Sequence, residues 1–210
     1  MLKSINKVIK VLVISDFFLN YGWGLLSPVF ALFLVERITG SVTEGAKVAG
    51  FAALFYWITK SVLQIPIGRY LDKNHGDKDD FLFLIIGMFM TGLVPFGYLI
   101  SSQPWHIYLC QFWYAVGMAM VFPPWLAIFT RHIDKGREAF EWSLESTAIG
   151  LGAGIAGAIG GITVYFLGFG VVFVIVGSFT IVSSLLLLLI RKEMAAKSRG
   201  THQLFPPRPF

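Results

Sequence analysis

Six long apolar runs constrain the fold of this 210-residue chain more than any other feature. A helix needs about 20 apolar residues to cross the hydrocarbon core of a bilayer, which is roughly 30 Å thick. Only 14% of the residues are charged, well below the roughly 25% of a typical soluble domain. The sequence therefore predicts an all-α polytopic membrane protein with six transmembrane helices. The predicted spans are residues 9–35, 46–71, 81–100, 105–129, 144–167 and 168–190.

The positive charges are distributed unevenly between the two sides of these spans. Three Lys or Arg residues lie near the start of the chain, three within 68–80, three within 131–137 and five after residue 190. The turns at 101–104 and 167–170 have none. Because Lys and Arg accumulate in cytoplasmic loops, this pattern predicts an integral plasma (inner) membrane protein with both termini cytoplasmic. The net charge of +5 thus indicates topology and contact with anionic lipid, and no nucleic acid is expected as a partner.

Polar side chains interrupt the first two spans. Asp16 and Asn20 share a helical face in the first span, and Lys60 and Gln64 share one in the second. An ionisable side chain deep in a membrane helix costs a few kcal/mol against lipid, so it should face protein or water. Two interpretations are open: Asp16 and Lys60 form a pair or a substrate and proton site in a cavity, or Lys60 extends to the cytoplasmic interface with Asp16 solvated near it.

The fourth span resembles the first. Residues 22–33 and 117–129 share a glycine, a proline-containing centre and a closing apolar stretch, at an offset of 95 to 96 residues. That offset equals three helices, so the second copy would cross the membrane in the opposite sense, as a 3+3 inverted repeat. Chance similarity between two apolar, proline-containing helices is the alternative. Broken helices of such repeats line solute sites, so span four adds three candidate site residues, Gln111, Tyr114 and Trp125. The alternative is that these are core or interfacial residues.

The remaining spans differ in character. Spans three and six carry no charge, so they are predicted to be peripheral, lipid-facing helices. Span five has six glycines within about twelve residues of each other, and such a density destabilises an isolated helix. Small residues four apart create a groove for a neighbouring helix, which predicts close helix packing at this span.

Signatures of other chemistries were not found in the sequence. The four histidines are scattered over different loops and ends, without metal-ligand spacing. No glycine-rich phosphate loop with a following Lys and Ser or Thr is present. The chain is therefore predicted not to be an enzyme, and no cofactor or metal is expected.

Two motifs resemble those of the major facilitator superfamily. The stretch 68–73, between the second and third spans, is similar to the superfamily's loop motif, a Gly followed four residues later by Asp and then a base. Gly76 lies one place later than the motif's second Gly, and the run 77–80 is mostly acidic where the family has bases. The stretch 152–161 resembles the fifth-helix antiporter motif, with Gly157 in place of its proline.

The resemblance implies one six-helix half of an alternating-access transporter that moves a small solute. More specifically, the antiporter motif implies drug:proton antiport and efflux. It implies a cytoplasmic gate in which Asp72 holds the closed state and Lys73 or Arg69 links Asp72 to Asp134. Residues 77–80 would then serve mainly as a solvated cap. The implied gate residues are Gly68, Arg69, Asp72, Lys73, Gly76 and Asp134, and the implied helix-packing residues are Gly152, Ala156, Gly157, Gly160 and Gly161.

The domain organisation follows from the same reading. Residues 1–190 form the six-helix transmembrane domain, and 191–210 form a basic, Pro-rich cytoplasmic tail or a truncated central linker. The expected partners are the lipid bilayer, a small solute, protons, and either a second six-helix half or a homodimer partner. The alternative function is a six-helix membrane scaffold, or an inactive half, that transports nothing.

Overall fold

The computed structural model describes residues 5–74 and 76–195, and within these ranges the chain is helical apart from short connections. Each of the five long helices is long and apolar enough to cross a membrane. A π-helical segment, Leu34–Thr39, extends the first helix, and a short 3-10 segment, Leu188–Ile190, follows the last. The long helices are α1 (Lys7–Phe33), α2 (Val42–Asn74), α3 (Asp77–Leu99), α4 (Pro104–His132) and α5 (Glu138–Leu187).

Local sequence signals set the helix ends. The Asn6 side chain accepts a hydrogen bond of 2.9 Å from the Val8 amide and so caps the start of α1. Gly40 ends the π-helical segment in the left-handed region, with φ of 68°, which glycine adopts without strain. Pro104 occupies the first turn of α4, where its missing amide hydrogen is not needed.

The 50-residue helix α5 changes direction at Gly168. At 1.5 Å per residue it would extend about 75 Å, more than twice the thickness of a hydrocarbon core. Gly168 has φ of 78° and ψ of 171°, a non-helical conformation open to glycine. It separates a first arm, residues 138–167, from a second arm, residues 169–187. This position is also the boundary between the predicted spans 144–167 and 168–190.

The contacts of α5 with α1 establish the reversal. Along the first arm, Gly152 lies against Phe17 and Gly160 against Leu25, so both residue numbers rise together. The first arm therefore runs parallel to α1. Along the second arm, Ser183 contacts Ser15 and Phe169 contacts Phe33, so one number rises as the other falls. The second arm therefore runs antiparallel to α1.

Helix α4 has an equivalent pair of neighbours. It lies parallel to α2, because Tyr108 contacts Phe55 near one end and Pro123 approaches Gly68 near the other. It lies antiparallel to α3, because Cys110 approaches Gly97 and Arg131 binds Asp77. Helix α4 thus packs between one parallel and one antiparallel helix, as α1 does.

Spans three and six, predicted to be peripheral, each pack one face against a neighbouring helix and expose large apolar side chains such as Leu93 and Val174 on the other. Helix α3 packs against the second arm of α5, where Gly92 lies against Ile181 and the Ser184 hydroxyl donates a 3.3 Å hydrogen bond to the Ile85 carbonyl. Helix α2 is instead the most exposed of the long helices, with Trp57 59% exposed. Hydropathy did not reveal this difference because lipid and protein interiors accept the same apolar side chains.

Helical structure continues past the predicted boundary at residue 190, through residue 195. Met194 is buried, and Lys7 forms an ion pair of 2.6 Å with Glu193. Glu193 and Met194, which were assigned to the tail, therefore pack with the helical bundle. The rest of the predicted Pro-rich tail, residues 196–210, lies outside the described residues.

Candidate functional site

A cluster of four charged or titratable side chains joins the start of α3 to the end of α4. The Arg131 Nε lies 2.7 Å from the Asp77 carboxylate, and its terminal nitrogen contacts Asp80. The His132 Nε2 lies 3.6 Å from Asp77, while its Nδ1 is 2.9 Å from the Ile128 carbonyl. Both carboxylates are buried and lie in the first turn of α3, where the positive end of the helix dipole favours negative charge.

This cluster corrects the predicted gate network. Among the described residues, no ion pair links Asp72 through Lys73 or Arg69 to Asp134. The Asp134 amide instead donates a 3.3 Å hydrogen bond to Glu141. The prediction of a solvated cap at 77–80 is also wrong for Asp77 and Asp80, because both are buried and pair with Arg131 of α4.

The glycine and aspartate of the loop motif nevertheless lie beside the cluster. Asp72 is exposed and lines a cavity of about 430 Å³ together with Gly68, while Arg69 and Lys73 are exposed on the same helix end. Gly76 precedes α3 as its N-cap residue. The cavity lies between α2, α3 and α4 and is lined by Gly68, Leu71, Asp72, Asp80, Pro123, Leu126, Ala127, Thr130 and Arg131.

A pair of acidic side chains joins α1 to the first arm of α5. The carboxyl group of Asp16 is within hydrogen-bonding reach of the carboxyl group of Glu145, and both residues are half-buried. Asn20, one turn along α1, donates a 2.9 Å hydrogen bond from its side chain to the Asp16 carbonyl. Two neighbouring carboxyl groups repel each other when both are ionised, and a proton on one of them relieves this repulsion, so this pair can hold a proton.

The predicted pairing of Asp16 with Lys60 does not form. The Lys60 ammonium lies over three aromatic rings, with centroid distances of 5.8 Å to Tyr56, 5.1 Å to Trp57 and 4.7 Å to Phe122. The partner of Asp16 is an acid, Glu145, which the sequence did not single out. The sequence did contain a signal for it, because Glu145 is an acidic residue within the predicted span 144–167.

An aromatic ladder connects the surface around Lys60 to α1. The Tyr56 ring of α2 stacks on Tyr114 of α4 at a centroid distance of 4.7 Å. Tyr114 stacks in turn on Trp23 of α1 at 4.1 Å, with the rings inclined by 10°. The structure therefore brings two of the predicted site residues, Lys60 and Tyr114, to one continuous aromatic surface through Tyr56.

The other predicted site residues are dispersed. Gln64 is half-buried one turn beyond Lys60 on α2. Gln111 donates a 3.1 Å hydrogen bond to the hydroxyl of the buried Tyr98. Trp125 is a core residue, stacked on Phe129 at 4.9 Å and close to Trp142, as in the alternative of core packing.

The predicted helix-packing motif divides into two faces. Gly152, Ala156 and Gly160 are buried against α1, and a Cβ added to Gly160 would overlap the Leu25 carbonyl. Gly157 is half-buried, with the Gly24 carbonyl 3.9 Å from where its Cβ would be. Gly161 is exposed and has open space at the same position. Only every fourth residue of the motif thus makes the close contact, as the helical repeat requires.

These features define an integral membrane protein, a bundle of long apolar helices with charged groups held inside it. The family model of the Major Facilitator Superfamily matches residues 12–209, and the chain belongs to this superfamily. Its members are membrane transporters and not enzymes, as the sequence predicted. A comparison with curated proteins found no match.

Proposed function

We propose that the protein is a secondary transporter that moves a small solute by alternating access and couples this movement to protons. The observation that carries the proposal is the proximity of two acidic side chains, Asp16 and Glu145, inside the helical bundle. Acidic residues inside membrane spans are costly and commonly mark proton or substrate pathways. The resemblance of 152–161 to the antiporter motif supports export of the solute in exchange for protons.

The six-crossing architecture and the 3+3 inverted repeat are part of this proposal. Reversal of α5 at Gly168 supports two crossings in α5, in addition to those of α1 to α4. The packing pattern supports the repeat: α1 lies between the parallel first arm and the antiparallel second arm of α5, and α4 lies between the parallel α2 and the antiparallel α3. If α1, α2 and α3 are exchanged with α4, the first arm of α5 and the second arm of α5, in that order, the pattern of parallel and antiparallel neighbours is unchanged. An inverted repeat requires this.

The proposed orientation places both termini in the cytoplasm of a cell whose plasma (inner) membrane holds the protein. Single cysteines introduced in a Cys110→Ser background test it. A cysteine at Ser102 should react with an impermeant maleimide in intact cells, whereas one at Lys135 should react only after permeabilisation. A cysteine at Tyr165, which is 82% exposed, should behave like the one at Ser102. Labelling of Tyr165 and Lys135 from the same side would contradict the two crossings of α5.

The cytoplasmic gate is proposed to combine Asp72 with the charge cluster at its side. Gly68 and Asp72 would face the second six-helix half or a second copy of this chain, while Asp77, Asp80 and Arg131 fix the α3–α4 end that carries the gate. Asp72→Asn should reduce flux by much more than it reduces the amount of folded protein. Asp79→Asn, in the same acidic region but outside the cavity lining, is the control. Equal flux in wild type and Asp72→Asn would refute the gate.

Transport itself is tested with the full chain in proteoliposomes that contain a pH-sensitive dye. Candidate organic solutes are added outside while a proton gradient is imposed. The proposal predicts a solute-dependent change of internal pH that protein-free liposomes lack. A solute panel of both charges that moves neither itself nor protons, with protein shown to be folded by its circular dichroism, would favour the scaffold function instead.

A further inference from the structure

Lys60 lies close to the middle of α2 and points away from the helix end that we assign to the cytoplasm. Helix α2 runs from Val42 to Asn74, so its midpoint is near residue 58, and Lys60 is about 21 Å from the Asn74 end. Helical side chains lean towards the helix N-terminus, and the ammonium lies over the rings of residues 56 and 57, one turn back. The ammonium therefore does not extend to the cytoplasmic interface.

The charge of Lys60 has no acidic partner among the described residues. All described ion pairs of 4.0 Å or less lie elsewhere, and the groups around the ammonium are the rings of Tyr56, Trp57 and Phe122. Ring faces attract a cation through their quadrupole, but they carry no net charge. An ammonium group without an acidic partner in a membrane-spanning helix is a costly arrangement that commonly indicates a substrate or ion pathway.

The aromatic rings beside the ammonium remain open. Trp57 is 59% exposed and Phe122 is 43% exposed, so ring area is available next to the charge. The ladder of Tyr56, Tyr114 and Trp23 lies behind these rings and fixes Tyr56 against α4 and α1. The surface therefore offers one positive charge at the edge of a wide, rigid apolar face.

We propose that this surface binds the transported solute and that the solute is an organic anion with a planar apolar body; the inference rests on the proposed transport function. Its carboxylate or sulfonate would contact the Lys60 ammonium, and its ring system would pack on Trp57 and Phe122. An organic cation is disfavoured because Lys60 repels it. A small inorganic anion is disfavoured because it would leave the exposed rings uncovered while losing its own hydration.

Equilibrium dialysis with a matched pair of radiolabelled probes tests the inference, using the full chain in nanodiscs of neutral lipid. The anionic probe is 2-naphthoate and the cationic probe is 2-naphthylmethylammonium. We expect saturable binding of naphthoate and much weaker binding of the ammonium probe. Lys60→Gln should weaken naphthoate binding roughly tenfold to a hundredfold, the usual effect of deleting one side of a charged hydrogen bond. Lys60→Arg, which keeps the charge, should stay within about threefold of wild type.

Two further variants distinguish the effect of the Lys60 charge from the effects of other cations on α2 and of the neighbouring rings. Lys47→Gln removes an exposed cation of the same helix, paired with Glu44, and should leave naphthoate affinity unchanged. Trp57→Leu removes ring area without changing charge and should weaken naphthoate binding several-fold, roughly the value of one aromatic contact. This second variant tests the surface independently if Lys60→Gln does not fold.

The inference is overturned by absence of saturable naphthoate binding, by equal affinity in wild type and Lys60→Gln, or by equal affinity for the two probes. Equal affinity in Lys60→Gln is also the result expected if a carboxylate of a partner half neutralises Lys60. Binding and flux separate this inference from the transport proposal. Lys60-dependent binding without proton-coupled flux would overturn transport alone, whereas flux without Lys60-dependent binding would overturn the anion site alone.

Discussion

The two parallel helix pairs of the bundle are built in different ways. At the α1–α5 interface, Gly24 of α1 lies against the Ala153 backbone of α5, and Gly160 of α5 lies against the Leu25 backbone of α1, so backbone meets backbone. The α2–α4 interface, formed by the rings of Tyr56, Tyr108, Tyr114 and Phe122 beside Lys60, is held by large side chains and leaves α2 mostly exposed. These two interfaces would be equivalent under the proposed repeat.

Under the proposed function, the two interfaces have different roles. The α1–α5 interface has no room for a ligand, and its charged groups, Asp16 and Glu145, are of a kind that can hold a proton. The α2–α4 interface is open and carries a positive charge beside aromatic surface, which suits a solute. The fixed structural charges lie elsewhere, at the α3–α4 end, where Arg131 forms ion pairs with two acids.

The α1–α5 interface should tolerate added volume least, and this gives the largest expected effect. Gly160→Leu places a side chain where a single Cβ already overlaps the Leu25 carbonyl, so we expect a loss of about 3 kcal/mol or more in the free energy of unfolding. The measurement is unfolding by denaturing detergent, followed by circular dichroism. Gly161→Leu, on the open face of the same helix, should lie within about 0.5 kcal/mol of wild type. Equal losses in both variants would show that the interface is loose.

Disruption of the charge cluster should cause the second-largest loss in the free energy of unfolding. Arg131→Gln leaves Asp77 and Asp80 buried without their base, and we expect a loss of about 2 kcal/mol. This value is below that of a fully buried pair because the Arg131 side chain is 40% exposed. Arg69→Gln, on exposed α2, should cost little. If combining Arg131→Gln with Asp77→Asn and Asp80→Asn restores no stability, the cluster does not act through charge pairing.

Much of this architecture could be predicted from the sequence because it depends on local patterns. The apolar runs placed the long helices and even the reversal at Gly168, and four-residue spacing of small residues placed Gly152, Ala156 and Gly160 on one face. Such features follow from the helical repeat and from the thickness of the bilayer, which need no knowledge of the partner helix.

The charged contacts could not be predicted, because each depends on which distant residue lies opposite. Asp16 meets Glu145, 129 positions away in the sequence (145 minus 16), and a pairing of opposite signs with Lys60 was the more natural expectation. The acidic run before span three looked like a solvated cap, since the sequence does not show that Arg131 folds back onto it. The sequence likewise left Trp125 open between a solute site and the core, and only its stacking on Phe129 places it in the core.

The aromatic ladder gives the smallest expected effect on stability. Tyr114→Leu removes two ring stacks, with Trp23 and with Tyr56, while keeping apolar volume, so we expect a loss of about 1 kcal/mol. Tyr165→Leu, at a residue 82% exposed, serves as the control in the same detergent titration and should cost less. A loss for Tyr114→Leu that matches the loss for Gly160→Leu would remove the contrast between the two interfaces.

The central claim is that the Asp16 and Glu145 pair carries the coupled proton. The most direct measurement is the amount of proton moved per solute in proteoliposomes, for wild type and for Asp16→Asn, with Glu44→Gln as an exposed control. We expect Asp16→Asn to lose proton movement while solute exchange across equal pH continues, and Glu44→Gln to behave as wild type. An unchanged proton-to-solute ratio in Asp16→Asn would contradict it.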